Sequence, residues 1–232
     1  MTWAQTLADV PTDTVARAAS LWRETVLERV GSSANLVYRL VSGNYLRLTH
    51  SNLRDVTAVA AGVDWARWLE MHGANVSVAL ESMSGCLIER IGDWLATVWR
   101  GVDGQSLGDT INDAQLELWG AAAGLTHKAS AGYEPRAVMT SSGAVLPERF
   151  ELLTFWRNIE PVVRKDTELL EAYRRLTPWL ETLPSDELLT CHGDFRPANA
   201  IWDGSSVWII DFDEPVLACL EYDVARAMSR DQ

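Results

Sequence analysis

Residues 190–213 constrain the fold of this 232-residue chain more than any other stretch. Asp194 lies in a His-Gly-Asp sequence, Asn199 follows five residues later, and Asp211 closes the apolar run 207–210. A loop acid and amide, followed by an acid directly after a buried strand, predict a cluster of carboxylate and amide oxygens on neighbouring segments. Oxygen ligands suit magnesium, which needs only one or two protein carboxylates beside phosphate and water. The order of these residues is therefore typical of phosphoryl-transfer chemistry.

The spacing His-Gly-Asp-x-x-x-x-Asn at 192–199 and the sequence Ile-Ile-Asp-Phe-Asp at 209–213 resemble motifs of the aminoglycoside phosphotransferase and choline kinase-like family. Upstream, Val-Gly-Ser-Ser-Ala-Asn at 30–35 looks like the nucleotide loop of that family. Tyr-Leu-Arg-Leu-Thr-His at 45–50 looks like the strand that carries its phosphate-binding cation. A lone His-Gly-Asp is weak evidence, whereas several motifs in one order are strong evidence.

Three further segments continue the resemblance. Residues 97–104 look like the hinge between two lobes, and Leu-Thr-His at 125–127 looks like the end of the first helix after it. Glu-Tyr-Asp-Val-Ala at 221–225 looks like the short motif that follows the metal-binding strand. The resemblance implies an α+β, two-lobed protein kinase-like fold. A small antiparallel sheet plus one helix is expected in the amino-terminal lobe (1–100), and a mainly helical carboxy-terminal lobe (101–232) carries the catalytic loop.

The resemblance also implies roles for the acidic residues. Asp194 is expected to be the catalytic base, and Arg196 either neutralises the transferring phosphoryl group or pairs with a neighbouring acid. Asn199 and Asp211 are expected to hold Mg²⁺, and Asp213 is either a further ligand or a residue that orients the loop. A base of this kind needs no raised pKa, because catalysis through a loose transition state rests on positioning and charge neutralisation.

Cofactor binding is expected in the amino-terminal lobe, with ATP or GTP as the phosphoryl donor. Arg47 would hold phosphate through its fork of donors. Trp99 either lines the nucleotide pocket or only packs, and His192 is expected to brace the catalytic loop rather than act as a base. His50, His72 and His127 are expected to be surface or packing residues. The expected contacts in the nucleotide loop are Gly31, Ser32, Ser33 and Asn35.

The chain departs from the family pattern in three places. Arg47 stands where many relatives have lysine, and Gly62 stands where the next helix is expected to carry a glutamate that pairs with that cation. Asp64 is roughly 200° further around the helix and faces elsewhere, and Glu70 lies too far along to replace it. Without that glutamate, Arg47 is expected to be less well fixed. The sequence also stops at Gln232, some twenty residues after Asp211.

These departures leave three interpretations open. The first is a kinase that transfers the gamma-phosphoryl group to a hydroxyl of a small molecule. The second is a degenerate, nucleotide-binding regulatory protein, and the third is an incomplete piece of a longer kinase, which would expose apolar surface or bury it in a homodimer. A hydrolase using Cys191 and His192 as a nucleophile pair is rejected, because adjacent residues on a strand seldom point at each other and Asn199 and Asp211 would have no purpose.

Composition narrows the partners. A net charge of −12 disfavours nucleic acid and anionic membranes, since binding to both rests on lysine and arginine contacts. The sequence contains no run of about 18 apolar residues, so no membrane span is expected. The amino terminus lacks a basic region followed by an apolar one, and the three cysteines have no metal-like spacing. A cytoplasmic location is therefore expected.

The hydrophobic pattern predicts the order of the elements. A helix is expected over 12–30, strands over 34–41 and 44–50 with a tight turn at Ser42-Gly43-Asn44, and a helix over 54–72. Further strands are predicted over 86–92, 94–100, 200–202 and 207–210. Helices are predicted over 107–128, 147–159 and 161–182, with Pro161 and Pro178 at ends or kinks.

Overall fold

The computed structural model describes residues 10–31, 35–108 and 111–229. Its amino-terminal lobe is built on a six-stranded antiparallel sheet with the order β1-β2-β3-β6-β4, in which β5 pairs with β6. The strands are β1 (Val26–Gly31), β2 (Leu36–Leu40), β3 (Tyr45–His50), β4 (Ala79–Leu80), β5 (Glu89–Ile91) and β6 (Trp94–Trp99). Helix α1 (Thr12–Ser20) and helix α2 (Val56–Met71) belong to the same lobe.

Two apolar clusters meet at this sheet. One joins α1 to β2, β3 and β6 through fully buried side chains such as Leu36, Leu46 and Leu48. The other joins α2 to the carboxy-terminal lobe through Trp65, Leu69 and Phe212. Successive side chains of a β-strand point to opposite faces of its sheet. One face of β3 therefore packs in the core, and the other faces the cleft.

Among the described residues, the carboxy-terminal lobe contains four α-helices and three small sheets. The helices are α3 (Asp113–Ser130), α4 (Leu152–Val163), α5 (Thr167–Glu181) and α6 (Glu221–Met228). The sheets have the orders β10-β14-β11, β13-β12-β7 and β8-β9. Their strands are β7 (Gln105–Ser106), β8 (Val138–Thr140), β9 (Gly143–Val145), β10 (Phe150–Glu151), β11 (Leu189–Cys191), β12 (Ala200–Trp202), β13 (Val207–Ile209) and β14 (Val216–Ala218). The α+β, two-lobed architecture expected from the sequence is confirmed.

The segment that joins the lobes is held against the β2–β3 turn. The backbone N–H of Gly101 donates to Asn44 Oδ1 at 3.1 Å. A Cβ on Gly101 would lie 2.0 Å from the carbonyl oxygen of Gly43, so only glycine allows this approach. Gly43 itself has φ +89°, as the predicted tight turn requires.

The predicted helix over 12–30 is wrong in its second half. The helix ends at Ser20, and Val26–Gly31 pairs with β2 as an antiparallel strand. Pro161 and Pro178, predicted to mark ends or kinks, lie in the last turns of α4 and α5, and both helices end within three residues of them. Within the described ranges, every helix is too short or too polar to span a bilayer.

Candidate active site

A buried carboxylate, that of Asp223, holds the loop that carries Asp194. Asp223, in α6, is fully buried and accepts hydrogen bonds from the backbone N–H groups of His192 at 2.8 Å and Gly193 at 2.9 Å. Its carboxylate also lies 3.0 Å from His127 Nε2 at the end of α3. His127 is therefore part of the support of this loop, beyond the surface or packing role expected from the sequence.

His192 connects the loop to the strand before Asp211. Its Nε2 hydrogen-bonds with the carbonyl group of Ile210 at 2.9 Å, and its Nδ1 accepts from the backbone N–H of Asp194 at 3.3 Å. The side chain is fully buried. These contacts match the bracing role predicted for His192, since both ring nitrogens are used by the backbone.

Both carboxylate oxygens of Asp194 are engaged. Oδ2 accepts from Arg196 Nη2 at 2.7 Å and from Asn199 Nδ2 at 2.9 Å, and Oδ1 accepts from Arg226 Nη2 in α6. Burial alone would raise the pKa of Asp194, but the hydrogen bonds and charges of Arg196 and Arg226 outweigh it and lower the pKa. Asp194 is therefore ionised at neutral pH.

The segment after β13 approaches α2 more closely than a side chain permits. A Cβ at Gly62 would lie 1.9 Å from the carbonyl oxygen of Phe212, so this glycine lets the helix rest directly on the Asp211–Asp213 segment. Asp211 itself has φ +68°, the left-handed region that a non-glycine residue adopts at an energetic cost. Asp64 indeed faces elsewhere, where it accepts from the Tyr133 hydroxyl at 2.9 Å.

Arg47 is fixed despite the missing glutamate. Its Nη2 donates to Asp211 Oδ1 at 2.8 Å and its Nη1 donates to Asp213. Asp213 also accepts from Asn35 Nδ2, and Asn35 Oδ1 accepts from the Thr49 hydroxyl at 2.7 Å. The expectation that Arg47 would be poorly fixed is therefore wrong: its anchor comes from the acidic segment itself instead of from α2.

Arg54, just before α2, was missed by the sequence argument. It donates to the carbonyl oxygen of Asp213 and to Glu214 Oε1 at 2.9 Å. Its side chain is mostly buried. No local sequence pattern predicts this contact, because Arg54 and Glu214 are 160 residues apart.

In the pair Arg47–Asp213, burial and hydrogen bonding act on the charge of Asp213 in opposite directions. Burial raises the pKa of Asp213 above its ordinary value; the charge of Arg47 opposes this and the charge of Asp211 adds to it. Burial alone would lower the pKa of Arg47, but Asp213 and Asp211 outweigh it and raise the pKa. Because Asp213 accepts hydrogen bonds on both oxygens, its surroundings fit the carboxylate form.

Two adjoining cavities gather most of the side chains expected at the site, although Asn199 is not among the residues that line them. A space of about 180 Å³ is lined by arginines and acids together, and its lining includes Asn35, Arg47, Arg54, Asp194, Arg196, Asp211 and Asp213. A cleft of about 350 Å³ between the lobes is lined by Gly31, Arg47, Trp99 and Asp211 among others. Trp99 therefore lines the cleft, and the guanidinium of Arg47 lies 5.5 Å from its ring centre. Ser32 and Ser33 lie outside the described residues.

The donor set near Asp211 fits a hard cation. Asn199 uses its amide nitrogen on Asp194, so its amide oxygen is the atom left to face a ligand. The carbonyl oxygen of Asn199 accepts from the backbone N–H of Ile210, which places Asn199 beside Asp211. Carboxylate and amide oxygens are the ligands that magnesium prefers.

A second cluster does not fit a metal. His127, Cys191 and Asp223 have ligand atoms within 4.8 Å of one another. However, burial raises the pKa of the Cys191 thiol, so the thiolate that a metal requires is disfavoured. Asp223 is already used by two backbone N–H groups and by His127. This cluster is a support for the loop.

Comparison with known families fits this geometry. The model of the family described as "Phosphotransferase enzyme family" matches residues 26–231. The chain belongs to this family. It is a phosphotransferase by membership, and the kinase resemblance seen in the sequence is confirmed. No curated protein matches the chain.

Solved structures share the fold. The amicoumacin kinase hAmiN, in complex with AMP-PNP, Ca²⁺ and Ami, is 21% identical with a TM-score of 0.72 over 97% of this chain and 70% of its own. A microcompartment-associated aminopropanol kinase is 19% identical with a TM-score of 0.70 over 94% of this chain and 74% of its own. The GDP and kanamycin complex of APH(2")-IIia is 15% identical with a TM-score of 0.64, over 91% of this chain and 75% of its own.

Proposed function

We propose that this phosphotransferase moves the gamma-phosphoryl group of ATP or GTP to a hydroxyl of a small molecule, with Mg²⁺ as cofactor. The observation that carries the proposal is the 180 Å³ space, in which Asp194 and Arg47 lie on one cavity with Asp211 and Asp213. An acid for the acceptor, a cation for phosphate and oxygen ligands for a metal thus converge. Nucleotides in the complexes of hAmiN and APH(2")-IIia support a nucleotide donor.

Arg47 is equipped for phosphate. Its Nε is buried and has no hydrogen-bond partner among the described residues, while its two Nη atoms are on Asp211 and Asp213. A buried donor without a partner is costly, and a phosphate oxygen entering the cleft would satisfy it. Gly31, Asn35 and the face of Trp99 complete the proposed nucleotide contacts, with Ser32 and Ser33 expected beside them.

Asn199 and Asp211 would hold Mg²⁺, which neutralises charge on the phosphates when it is bound. Asp213 is proposed to orient rather than ligate, because its oxygens already accept from Asn35 and Arg47. Asp213 would then hold Arg47 in place, which is the role that the family pattern assigns to a glutamate of the helix. Arg54 would keep the Asp213–Glu214 segment in place.

Asp194 would act as the base. Its carboxylate orients the acceptor hydroxyl and takes its proton as the oxygen forms a bond to the gamma-phosphorus and the bond from that phosphorus to the bridging oxygen breaks. The nucleoside diphosphate leaves with that bridging oxygen. Arg196, on the same cavity, would stabilise the charge on the transferring group.

The test is calorimetric titration of ATP and GTP, with and without Mg²⁺, into the wild type and three variants. Asp211→Asn should weaken magnesium-dependent binding by about tenfold or more. Asp194→Asn should bind nucleotide normally but lose roughly 10²- to 10⁴-fold in the transfer rate. Asp186→Asn, at an exposed aspartate in the turn before β11, is the matched control and should change neither quantity.

A wild type that binds neither nucleotide would overturn the proposal. Binding without transfer to any hydroxyl, together with binding that is insensitive to Asp211→Asn, would instead favour the degenerate, regulatory interpretation. The two outcomes differ in the first titration, so one protein preparation separates them.

A further inference from the structure

A series of hydrogen-bonded side chains joins the amino-terminal sheet to the acidic segment. It begins at Thr49 in β3, whose hydroxyl donates to Asn35 Oδ1 at 2.7 Å. The amide nitrogen of Asn35 donates to Asp213 Oδ2, and Asp213 Oδ1 accepts from Arg47 Nη1. Thr49 and Arg47 lie on the same face of β3, because side chains two positions apart on a strand point the same way. One strand thus supplies both ends of the series.

Both ends of the Asn35 side chain are used, and the residue is almost out of contact with water. Asn35 is 5% exposed and Thr49 is 3% exposed. The amide nitrogen has to face Asp213, because an amide oxygen there would meet the carboxylate, which only accepts. The amide oxygen is thereby directed at the Thr49 hydroxyl. A nucleotide contact of Asn35 would therefore be made by its backbone.

The Thr49 hydroxyl keeps this arrangement in place. Without it, the buried amide oxygen of Asn35 would lose the donor that the described residues supply. A buried acceptor without a donor is costly, and the amide recovers a partner only by turning away from Asp213. The carboxylate of Asp213 would then be held by Arg47 and Arg54 without the amide. Its position, and with it that of the Arg47 guanidinium, would be less well defined.

Asp211, the second anchor of Arg47, is also the residue proposed to hold Mg²⁺. The charges of a divalent cation and a guanidinium on the same carboxylate repel each other. Asp213, which is already held by Asn35, is therefore the anchor on which Arg47 depends when a metal–nucleotide complex is bound. Helix α2 offers no replacement, because Gly62 stands at the position of the expected glutamate.

We propose that Thr49 and Asn35 are positioning residues for the phosphates of the donor nucleotide. They act through Asp213, which fixes the Arg47 guanidinium where the phosphates enter the cleft. Neither side chain touches the reacting atoms. The support that the family pattern assigns to a helix glutamate comes in this chain from β3 and from the residue that follows the nucleotide loop. This inference rests on the proposed function.

The test separates the phosphates of the nucleotide from its base and sugar. AMP-PNP with Mg²⁺ is titrated calorimetrically into the wild type, Thr49→Val and Thr49→Ser, and the affinity of adenosine is measured by competition with it. Thr49→Val keeps the shape of the side chain but lacks the hydroxyl, so it should weaken AMP-PNP binding about fivefold or more. Thr49→Ser keeps the hydroxyl and should restore the affinity. Adenosine should bind all three proteins equally, because it carries no phosphate for Arg47 to hold. GMP-PNP and guanosine take their place if GMP-PNP binds the wild type more tightly.

A buried threonine far from the cleft provides the control. Thr140 in β8 is 5% exposed, and its hydroxyl donates to the carbonyl oxygen of Gly143 at 2.8 Å. Thr140→Val should leave the affinities of AMP-PNP and adenosine unchanged. Urea unfolding of each variant verifies that it is folded at the temperature of the titration.

A double variant tests the route through Asn35. Asn35→Ala removes the middle of the series, so it should weaken AMP-PNP binding at least as much as Thr49→Val. Adding Thr49→Val to Asn35→Ala should then cause no further loss, because residues that act through one another are not additive. Two independent contributions would instead multiply.

The proposal is overturned if Thr49→Val binds AMP-PNP as the wild type does, or if it weakens adenosine by the same factor. It is also overturned if Thr49→Ser behaves like Thr49→Val, or if the losses multiply in the double variant. A wild type that binds neither AMP-PNP nor GMP-PNP contradicts the proposed function itself. The first titration therefore distinguishes failure of the proposed function from failure of this inference.

Discussion

Helix α2 and the pair α4–α5 are both rich in apolar side chains, but they differ in what those side chains contact. Half of the α2 residues are buried, and most of these belong to the apolar cluster shared with the other lobe. In α4 only Leu152 is buried, and in α5 only Tyr173 and Leu180. The difference teaches that α2 is where sheet, core and acidic segment meet, whereas α4 and α5 are stabilised mainly by a small local cluster.

The largest expected effect is at Gly62. Gly62→Glu would restore the family's glutamate in sequence, but its Cβ would overlap the Phe212 carbonyl oxygen at 1.9 Å. We expect loss of the native fold, a cost of roughly 5 kcal/mol or more. The control Gly124→Glu, in α3 with no atom within 4 Å of an added Cβ, should be neutral or slightly stabilising. Urea unfolding followed by circular dichroism measures both, and equal midpoints would contradict the contrast.

A second prediction pairs two tryptophans. Trp65 in α2 is fully buried, donates to the Ser130 hydroxyl at 3.1 Å and packs edge-on against Phe212. Trp65→Ala should cost about 3–5 kcal/mol of unfolding free energy. Trp179 in α5 is 45% exposed, so Trp179→Ala removes about half as much buried area and should cost about 2 kcal/mol. A Trp179→Ala variant as unstable as Trp65→Ala would show that α5 is supported by contacts beyond those described.

The third prediction compares the caps of α2 and α5. Asp55 accepts from the backbone N–H of Ala58 at 2.9 Å, and Asp166 accepts from those of Glu168 and Leu169. Each aspartate-to-alanine variant should cost about 1 kcal/mol at pH 7. The measurement is the free energy of unfolding from urea titrations, and a cost near zero at either site would contradict the capping contribution.

Acid should weaken the contribution of Asp55. Hydrogen bonds from Ala58 and Thr57 hold the pKa of Asp55 below its ordinary value. Its stabilisation is therefore complete above the unfolded pKa of about 3.9 and lost as the pH falls through the lower folded pKa. The deficit of Asp55→Ala relative to wild type should shrink only below about pH 4; shrinkage between pH 7 and 5 would contradict the lowered pKa.

The smallest expected effect is at Leu169, whose side chain is 55% exposed on α5. Leu169→Ser should change the free energy of unfolding by less than about 0.5 kcal/mol. The buried Leu180 on the same helix provides the contrast, since Leu180→Ala should cost about 2–5 kcal/mol. A large loss at Leu169 in urea unfolding, with a concentration-dependent midpoint, would mean that this face is covered by a second copy of the chain.

Local sequence patterns predicted part of the fold and some residues of the candidate site. The Ser42–Asn44 turn and the α2 helix follow from turn chemistry and periodicity, because both are decided by neighbouring residues. Strand β1 was misread because most of its side chains are exposed, so no alternating burial marks it. Pairing with β2 decides its conformation instead.

The same distinction applies to the side chains of the candidate site. Asp194, Asn199 and Asp211 lie within one short stretch, so their spacing was enough to predict them as candidates. The sequence did not indicate the contacts of Arg226 and Arg54, because their partners lie 32 and 160 residues away. A lone surface arginine also looks the same in sequence as a buried one. The role of Gly62 was hidden for a related reason: an absent side chain gives no sign of what fills its place.

The contact between Gly101 and the β2–β3 turn has a consequence for motion. Backbone there approaches backbone without an intervening side chain, and Asn44 adds a hydrogen bond. This end of the cleft is therefore expected to stay shut while the lobes rotate about it, as in hinge-type closure. Rotation about this point moves the far end most, where Arg54 spans the cleft to Glu214. Breaking and remaking that ion pair, together with the contacts of Arg47 and Asn35 with the acidic segment, would then set how often the cleft opens.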